Sequence, residues 1–531
     1  MHSSSGTSLS CPSKLFALIC VALALIVVAG CGGQADTKPT PTPSSSTTLK
    51  LNIPSEALNA PVTGPVPNNQ KLHVGVTFQV DQAALDKMGQ DGQTQNGNVS
   101  TPDAVKKLGI SDEDFQKFKQ FFGIDNATVK LSGTHTYMTV DIAAGSLAGL
   151  LQTHFVMHKL GNRTFYTPDP KQMPKVPSYV ADRVLAVTGL DNYSLPPQPH
   201  ASFSSQQLKQ ARADDCQPTV PAVKLSQLAH AYGYDGFWNV GSHGEGMTVN
   251  LVEIDGVFMP DLQTMAQCYH YNGKISFAGP TLPPGGETTM DMQLLMALAP
   301  SVNIADYQAE NPSFNAVNDA LHQILDDYTA HPRPGDVVSV SLGAAEDGMT
   351  PDEKITMTKT LEMLYKVTHL SVFFSSGDCA AFESPGNQYG RLGVSFPASS
   401  PYAIAVGGTI LNVDAQGNRT GEAVWSDPKA NQASCQHSWG GGGGLSNYFE
   451  QPSWLTGAGV QNQYSNGKRQ VPDVSAMATN VPIYFEGSWD LVGGTSAAAP
   501  MWAAGMVLVN QQLMRITHKF VYGPAIPAFL S

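Results

Sequence analysis

Gly493-Gly494-Thr495-Ser496-Ala497-Ala498-Ala499-Pro500 opens a run of small and apolar residues that continues from Met501 to Leu513. The glycine pair predicts a tight turn and the run after it a helix, so Ser496 stands where a turn enters a helix. Backbone N–H groups at a helix start lack intrahelical acceptors. An oxyanion forming beside a serine there finds donors in place. The same residues also make an ordinary N-cap through Thr495 or Ser496. The octapeptide leaves both readings open. A serine hydroxyl is a weak nucleophile, and the residue that takes its proton decides between them.

Upstream of the octapeptide the pattern is α/β. Met247 to Ile254, Val302 to Tyr307, Val337 to Ser341, Ser371 to Phe374 and Ala403 to Val406 read as buried strands. Helical segments at Asp261 to Tyr269, Asn315 to Tyr328 and Pro351 to Val367 separate several of them. Near-continuous apolar strands alternating with helices predict a parallel sheet covered on both faces. Gly440 to Gly444 is an unbroken glycine run and reads as a loop.

Lys71 to Tyr193 has a different rhythm. Leu72 to Phe78, Ala127 to Leu131 and Thr136 to Ile142 read as strands. Ser111 to Phe122 reads as a helix capped by Ser111-Asp112-Glu113-Asp114, and Gly145 to Phe155 as a second. Two helices among several strands suit a small split βαβ sandwich, an α+β region of the ferredoxin-like kind. A polar, proline-bearing stretch, residues 194–222, follows. It contains Gln206-Gln207-Leu208-Lys209-Gln210-Ala211-Arg212, accessible to proteolysis if unfolded.

The 531 residues, 42% of them hydrophobic, suffice for two or three domains with cores. A net charge of -13 with 14% charged residues excludes nucleic acid as the expected partner. Lys14 followed by the apolar run Leu15 to Ala29 reads as a signal segment rather than a membrane span. Val28-Ala29-Gly30-Cys31 resembles a bacterial lipobox, which implies a lipidated Cys31 at the mature N-terminus. The other reading is an ordinary secretory signal with a chance cysteine. Residues 1–31 are thus a signal segment and 32–70 a Pro/Ser/Thr-rich tether. A lipid anchor would hold an exported, cell-surface protein to a membrane without a spanning helix. Of seven cysteines, Cys11, Cys20 and Cys31 belong to the signal segment. Cys216, Cys268, Cys379 and Cys435 predict one or two disulfides, with the pairing open.

The residue that takes the serine proton is not a histidine at the expected place. His243-Gly244 lies before the strand that ends Val252-Glu253-Ile254-Asp255, on the wrong side. After that strand comes Gly285-Gly286-Glu287-Thr288-Thr289-Met290-Asp291, leading into Met292 to Pro300. Glu287 and Asp291 are four apart and share one helix face. Two carboxylates there repel unless they share a proton or meet another polar group. A solvated acidic helix start explains Glu287 well and Asp291 poorly, because Asp291 is embedded in apolar residues. A carboxylate base with a low pKa works best in acid. Ser375-Ser376-Gly377-Asp378-Cys379 follows a strand, where an aspartate faces the ligand crevice of an α/β sheet. Buried and protonated, Asp378 can donate to an oxyanion; otherwise it is a turn aspartate.

Glu287/Asp291, Gly377-Asp378 and Gly494-Thr495-Ser496-Ala497-Ala498-Ala499-Pro500 together resemble the sedolisin family of serine-carboxyl peptidases, especially its kumamolisin-like members. Phe396 to Tyr402, Val406-Gly407-Gly408-Thr409 and Val471-Pro472-Asp473-Val474 extend the resemblance. It implies a subtilisin-like fold over residues 223–531, an activation prodomain at 71–193 and a processing linker at 194–222. It further implies an acid-acting endopeptidase, made as a self-activating zymogen. Ser496 would be the nucleophile, Glu287 the general base and Asp291 its orienting partner. Asp378 and the Ser496 N–H would form the oxyanion hole. Glu253 matches a glutamate that extends this network in some relatives, and reads equally as a buried structural carboxylate. Asp255 is read as a turn residue. Expected partners are protein or peptide substrates and the chain's own prodomain, with the protein a monomer.

Gln293 and Leu342 depart from the family pattern, standing where several relatives carry an acidic and an aromatic residue. Relatives also end in a calcium loop that would follow Ser531, so no cofactor and no calcium site of the family type is expected here. A second function class therefore stays open: a surface-anchored, catalytically dead or unstable relative acting as a binding module.

Overall fold

The computed structural model describes residues 46–523, except 95–99, 200–201, 204–215, 217–221, 385–390, 428–434, 436–438 and 457–458. Cys31 and the segment Gln206 to Arg212 lie outside the described residues. Among the described residues no helix is long and apolar enough to cross a membrane.

An eight-stranded sheet carries the C-terminal region. Its strands run, in spatial order, Ile275–Ala278, Asn303–Gln308, Thr248–Glu253, Val337–Val340, Ser371–Ser375 and Ile404–Val413, the last flanked by Arg419–Val424 and Val474–Met477. All pairings are parallel except that of Arg419–Val424, which is antiparallel. Side chains alternate along each strand. Val249, Leu251, Val337, Phe373 and Val406 enter one core with helices Gly286–Leu298 and Thr495–Thr517. Val252, Val338, Val340, Val372 and Phe374 enter a second with helices Phe314–Ala330 and Pro351–Met363. Burial on both faces explains the near-continuous apolar strands. This is the subtilisin-like α/β arrangement.

Helix Gly286–Leu298 is buried at every residue from Glu287 to Leu298. It is wedged among helices Thr495–Thr517, Met259–Cys268 and Leu225–Ala231. A helix that is apolar all round belongs inside a core, and here the core carries Glu287 and Asp291 with it.

The N-terminal region is a four-stranded antiparallel sheet in the order Thr128–Leu131, Tyr137–Ala143, Lys71–Phe78, Val184–Thr188. Helices Asp112–Phe122 and Ala144–Leu150 join its core. Three expectations change. The helix expected from Gly145 to Phe155 ends at Leu150, because Phe155–Leu160 pairs with Arg163–Pro168 as a hairpin whose turn holds Gly161 at φ 59. The helix expected from Pro351 to Val367 is α-helical only to Met363 and then takes one wider turn over Leu364–Thr368. The tether drawn at 32–70 is folded from Ser46 onward: Ser46–Thr48 pairs with Lys175–Pro177, and Ile53, Ala57 and Ala60 pack on Phe165 and Tyr193. A few apolar side chains with a surface to cover were enough to order a Pro/Ser/Thr-rich stretch.

The N-terminal sheet rests on helices Phe314–Ala330 and Pro351–Met363 through polar contacts. Thr77 and Thr356 hydroxyls meet at 2.8 Å. Asp326 accepts the N–H groups of Gly133 at 2.8 Å and Thr134 at 3.2 Å. Asp352 accepts the backbone and side-chain N–H groups of Asn52. His73 bridges Asp141 at 2.6 Å and Asp319 at 2.7 Å. Burial works against its charge, but the two carboxylates outweigh that and push its pKa up to about 10. A histidine with a raised pKa stabilises the folded state fully below its free value and loses that contribution as pH rises through the raised one. His73→Ala should therefore lower stability by about 1–3 kcal/mol at mildly acidic to neutral pH. In thermal melts against wild type, the difference should fade as pH rises toward about 10.

Candidate active site

Ser496 is the second residue of helix Thr495–Thr517, and Gly494 before it takes φ 151, a backbone state that favours glycine. Pro500 lies four residues on, inside the helix. Proline has no N–H, so the carbonyl of Ser496 loses its intrahelical donor. The hydroxyl of Ser341 lies 3.2 Å from that carbonyl and 2.6 Å from Asp291 Oδ2, and its single proton serves one of them at a time: when Asp291 is protonated it donates to Ser341, which is then free to replace the missing helical donor. Ser496 Oγ in turn donates to the Ser341 carbonyl at 3.1 Å.

Glu287 and Asp291 project from helix Gly286–Leu298 into this corner. Asp255, at the end of strand Thr248–Glu253, caps that helix by accepting the N–H of Thr288 at 3.1 Å and of Glu287 at 3.4 Å. A Cβ on Gly285 would fall 1.7 Å from Asp255 Oδ2, so only glycine lets the cap close. Asp255 is thus a distant helix cap rather than a plain turn residue. Glu253 stands beside Asp291, and Asp306 lies on the neighbouring strand.

The carboxyls of Glu253, Glu287 and Asp291 are all pushed well above the ordinary range, first by burial and, for Glu253 and Glu287, next by the charge of Asp291. The Ser341 hydroxyl beside Asp291 and the Ser496 hydroxyl beside Glu287 work in the other direction, although the Ser496 proton rests on the Ser341 carbonyl. Both oxygens of Glu253 and of Glu287 lack a protein donor. Such groups are tolerable only by sharing protons. The low-pKa base expected from sequence is therefore replaced by a proton-sharing cluster whose burial raises every member. Asp306 joins it electrostatically, with burial lifting its own pKa to about 7.

Asp378 approaches from the opposite side, on the loop after strand Ser371–Ser375. Its Oδ1 accepts the backbone N–H of Thr495 at 2.8 Å and the Thr495 hydroxyl at 3.0 Å. Burial raises its pKa well above the carboxylate range. The glycine run packs edge-on against this loop: Gly440 N donates to Asp378 O at 2.8 Å and Gly442 N to Gly377 O at 2.6 Å. A Cβ on Gly442 would fall 2.1 Å from Ser376 O, which explains the absence of side chains. The cysteines pair as Cys216–Cys268 and Cys379–Cys435, the second beside Asp378.

The other singled-out residues fall as follows. Gln293 donates to Tyr484 O at 2.6 Å and accepts Tyr484 N at 2.8 Å, pinning strand Val481–Phe485 to the helix. Leu342 is buried on strand Leu342–Ala345, where Gln198–Pro199 pairs antiparallel with Leu342 and Gly343. Ser202–Phe203 pairs antiparallel with Val492 and Gly493. His243 lies before strand Thr248–Glu253, at the end away from Glu253 and beside Glu245. Sequence reasoning missed Ser341 and Glu383. Ser341, expected as the last residue of the strand Val337 to Ser341, sits just past its end at Val340, a position that by itself points to the crevice; Glu383 carried no such signal.

The sequence profile of the subtilase family matches residues 284–520. Kumamolisin of Bacillus sp. (strain MN-32) is 28% identical over 85% of this chain and 82% of its own length. Sedolisin of Pseudomonas sp. (strain 101) is 26% identical over 69% of this chain and 62% of its own. Tripeptidyl-peptidase 1 of Dictyostelium discoideum is 30% identical over 44% of this chain and 37% of its own. A solved Pseudomonas sedolisin in complex with pseudo-iodotyrostatin superposes with a TM-score of 0.48 at 25% identity, over 57% of this chain and 83% of that one, too loosely to add to the argument. A subtilase match across the serine helix, together with kumamolisin aligned along most of both chains, supports the kumamolisin-like sedolisin reading of this chain.

Proposed function

We propose that this chain is an acid-acting serine-carboxyl endopeptidase, made as a zymogen, that cleaves peptide bonds through an acyl-enzyme on Ser496. The observation that carries the reading is the buried Glu287 carboxyl beside the Ser496 hydroxyl, where other serine peptidases place an imidazole. Ser496 Oγ attacks the scissile carbonyl carbon as its proton passes to Glu287. Asp291, held by Ser341, orients Glu287 and shares the cluster's charge, with Glu253 behind it. Thr495 N is taken by Asp378 and Ala497 N by Gly494 O. The Ser496 N–H is left to pair with protonated Asp378 at the developing oxyanion.

This assignment sets the pH range. The base must be ionised, so activity rises with pH through the first ionisation of the Glu253–Asp291–Glu287 cluster. The oxyanion donor must be protonated, so activity falls as pH rises through the raised pKa of Asp378. Among the described residues no cluster of three or more His, Cys, Asp or Glu side chains fits a metal ion.

The zymogen reading rests on Gln198–Pro199 and Ser202–Phe203. Their two strand pairs lie on Leu342–Gly343, next to Ser341, and on Val492–Gly493, three residues before Ser496. Two short strands of one segment, paired on either border of the nucleophile, would take the place of a substrate and keep substrates out. The region before it acts as prodomain, and residues 194–222 as the processing linker. Two disulfides suit an exported protein, and the Cys31 motif suits a lipid anchor at the cell surface.

Incubated near pH 4 (the acid side of the carboxylate range), the purified full chain should shorten within the linker and then cleave a denatured protein. Ser496→Ala should abolish both, and Glu287→Gln should lower kcat by at least about 10³-fold, while both remain folded. A folded wild type that neither shortens nor cleaves would point to the binding-module alternative. In cells, Cys31→Ala should move the protein from the membrane fraction to the soluble exported fraction, as immunoblots of the two would show.

A further inference from the structure

The loop that carries Asp378 closes on itself through Glu383. Glu383 Oε1 accepts the N–H of Cys379 at 2.7 Å, and the carboxyl also takes the backbone N–H of Asp378. Gly377 takes φ 103, and a Cβ there would fall 2.2 Å from Glu383 Oε1. The carboxyl thus lies against the α-carbon that precedes Asp378 and is itself 7% exposed. On Asp378, Oδ1 already accepts two donors from Thr495. The Thr495 hydroxyl has one proton for Oδ1 and for Gly377 O at 3.1 Å, but the Thr495 N–H is committed to Oδ1, which leaves Oδ2 as the oxygen that can carry the proton of neutral Asp378 and donate it.

We propose that Glu383 is a positioning residue that governs Asp378: its carboxylate holds the two loop amides in place and sets negative charge beside Asp378, so that Asp378 remains a hydrogen-bond donor as pH rises. The inference rests on the assignment of Asp378 to the oxyanion site. Burial is the largest cause of the raised pKa of Asp378, the Thr495 N–H opposes it, and the Glu383 charge adds to it. Burial also lifts Glu383 to about 7, against the two amides that stabilise its anion. Below that value Glu383 is mostly neutral, and burial alone keeps Asp378 protonated. Above it Glu383 is an anion, and ionising Asp378 would put two like charges in one buried loop. Glu383 therefore extends the alkaline side of the active range and leaves the acid side alone. Among the described residues the other ionisable group that faces Asp378 is Glu287, from helix Gly286–Leu298. Cys379 is held in a disulfide and does not titrate.

The test is kcat/KM for a peptide substrate of the acid-activated enzyme across about pH 3 to pH 9, for wild type, Glu383→Gln and Glu383→Asp. Glutamine keeps the length and one acceptor oxygen but not the charge. Its acid-side midpoint should match wild type, while its alkaline-side midpoint should fall by about one pH unit. Glu383→Asp, which keeps the charge, should restore the alkaline midpoint toward wild type even with a lower kcat. A Glu383→Gln profile that is scaled down but unmoved on the pH axis would mean a purely structural residue and would overturn the proposal. Should Glu383→Gln yield no folded chain, an alkaline midpoint displaced downward in Glu383→Asp overturns it, and an unmoved one supports it. A wild type inert at every pH overturns the peptidase reading and this inference with it.

Discussion

The structure depends on putting ionisable carboxyls where water does not reach. Helix Gly286–Leu298 is buried on all sides, and its apolar residues bring Glu287 and Asp291 into the core. An isolated carboxylate in such a place costs several kcal/mol. The surroundings are arranged against that cost. Asp255 caps the helix from the end of an adjacent strand, Ser341 donates to Asp291, and Glu253 stands near enough to share its proton. Neutralising one member eases the others, so the group behaves as a single reservoir that holds fewer charges than it has carboxyls.

The serine helix is shaped by the same constraint. Pro500 deprives the Ser496 carbonyl of its helical partner, and Ser341 takes up that carbonyl while also holding Asp291. One hydroxyl thus ties the Ser496 backbone to the carboxyl cluster. On the other side Thr495 ties the same helix start to Asp378. Ser496 is held between two carboxyl systems by the residues on either side of it in space, and small residues from Ala497 to Ala499 leave room for both.

Much of this was legible in the chain, and the rest was not for physical reasons. The parallel sheet showed in its strands because burial on both faces demands unbroken apolar runs. Glu287 and Asp291 stood out because an acidic residue inside an apolar helix contradicts its context. Ser341 was passed over because a serine at a strand end looks like any other until the opposing helix is known. Glu383 was invisible because its partners are backbone amides of its own loop, which no residue type announces. The pKa of the carboxylate base was expected low from its chemistry alone, whereas depth of burial, a property of the whole fold, raised it. The residues after Ser46 looked like a tether because their composition is polar, yet Ile53, Ala57 and Ala60 sufficed to seat them.

The two disulfides join Cys216, near the end of the linker, to Cys268 and Cys379 to Cys435, so neither reaches back beyond Cys216. A cut before Cys216 is bridged by neither of them. Before the cut, the N-terminal region meets the catalytic sheet at the millimolar effective concentration that a short tether provides. After it, the same contacts become a bimolecular equilibrium between two dilute species, weakened on the order of 10³-fold or more wherever the protein is scarce. The new end of the catalytic chain, by contrast, stays clamped to helix Met259–Cys268. Dilution into the surroundings then makes a single peptide-bond cleavage effectively one-way.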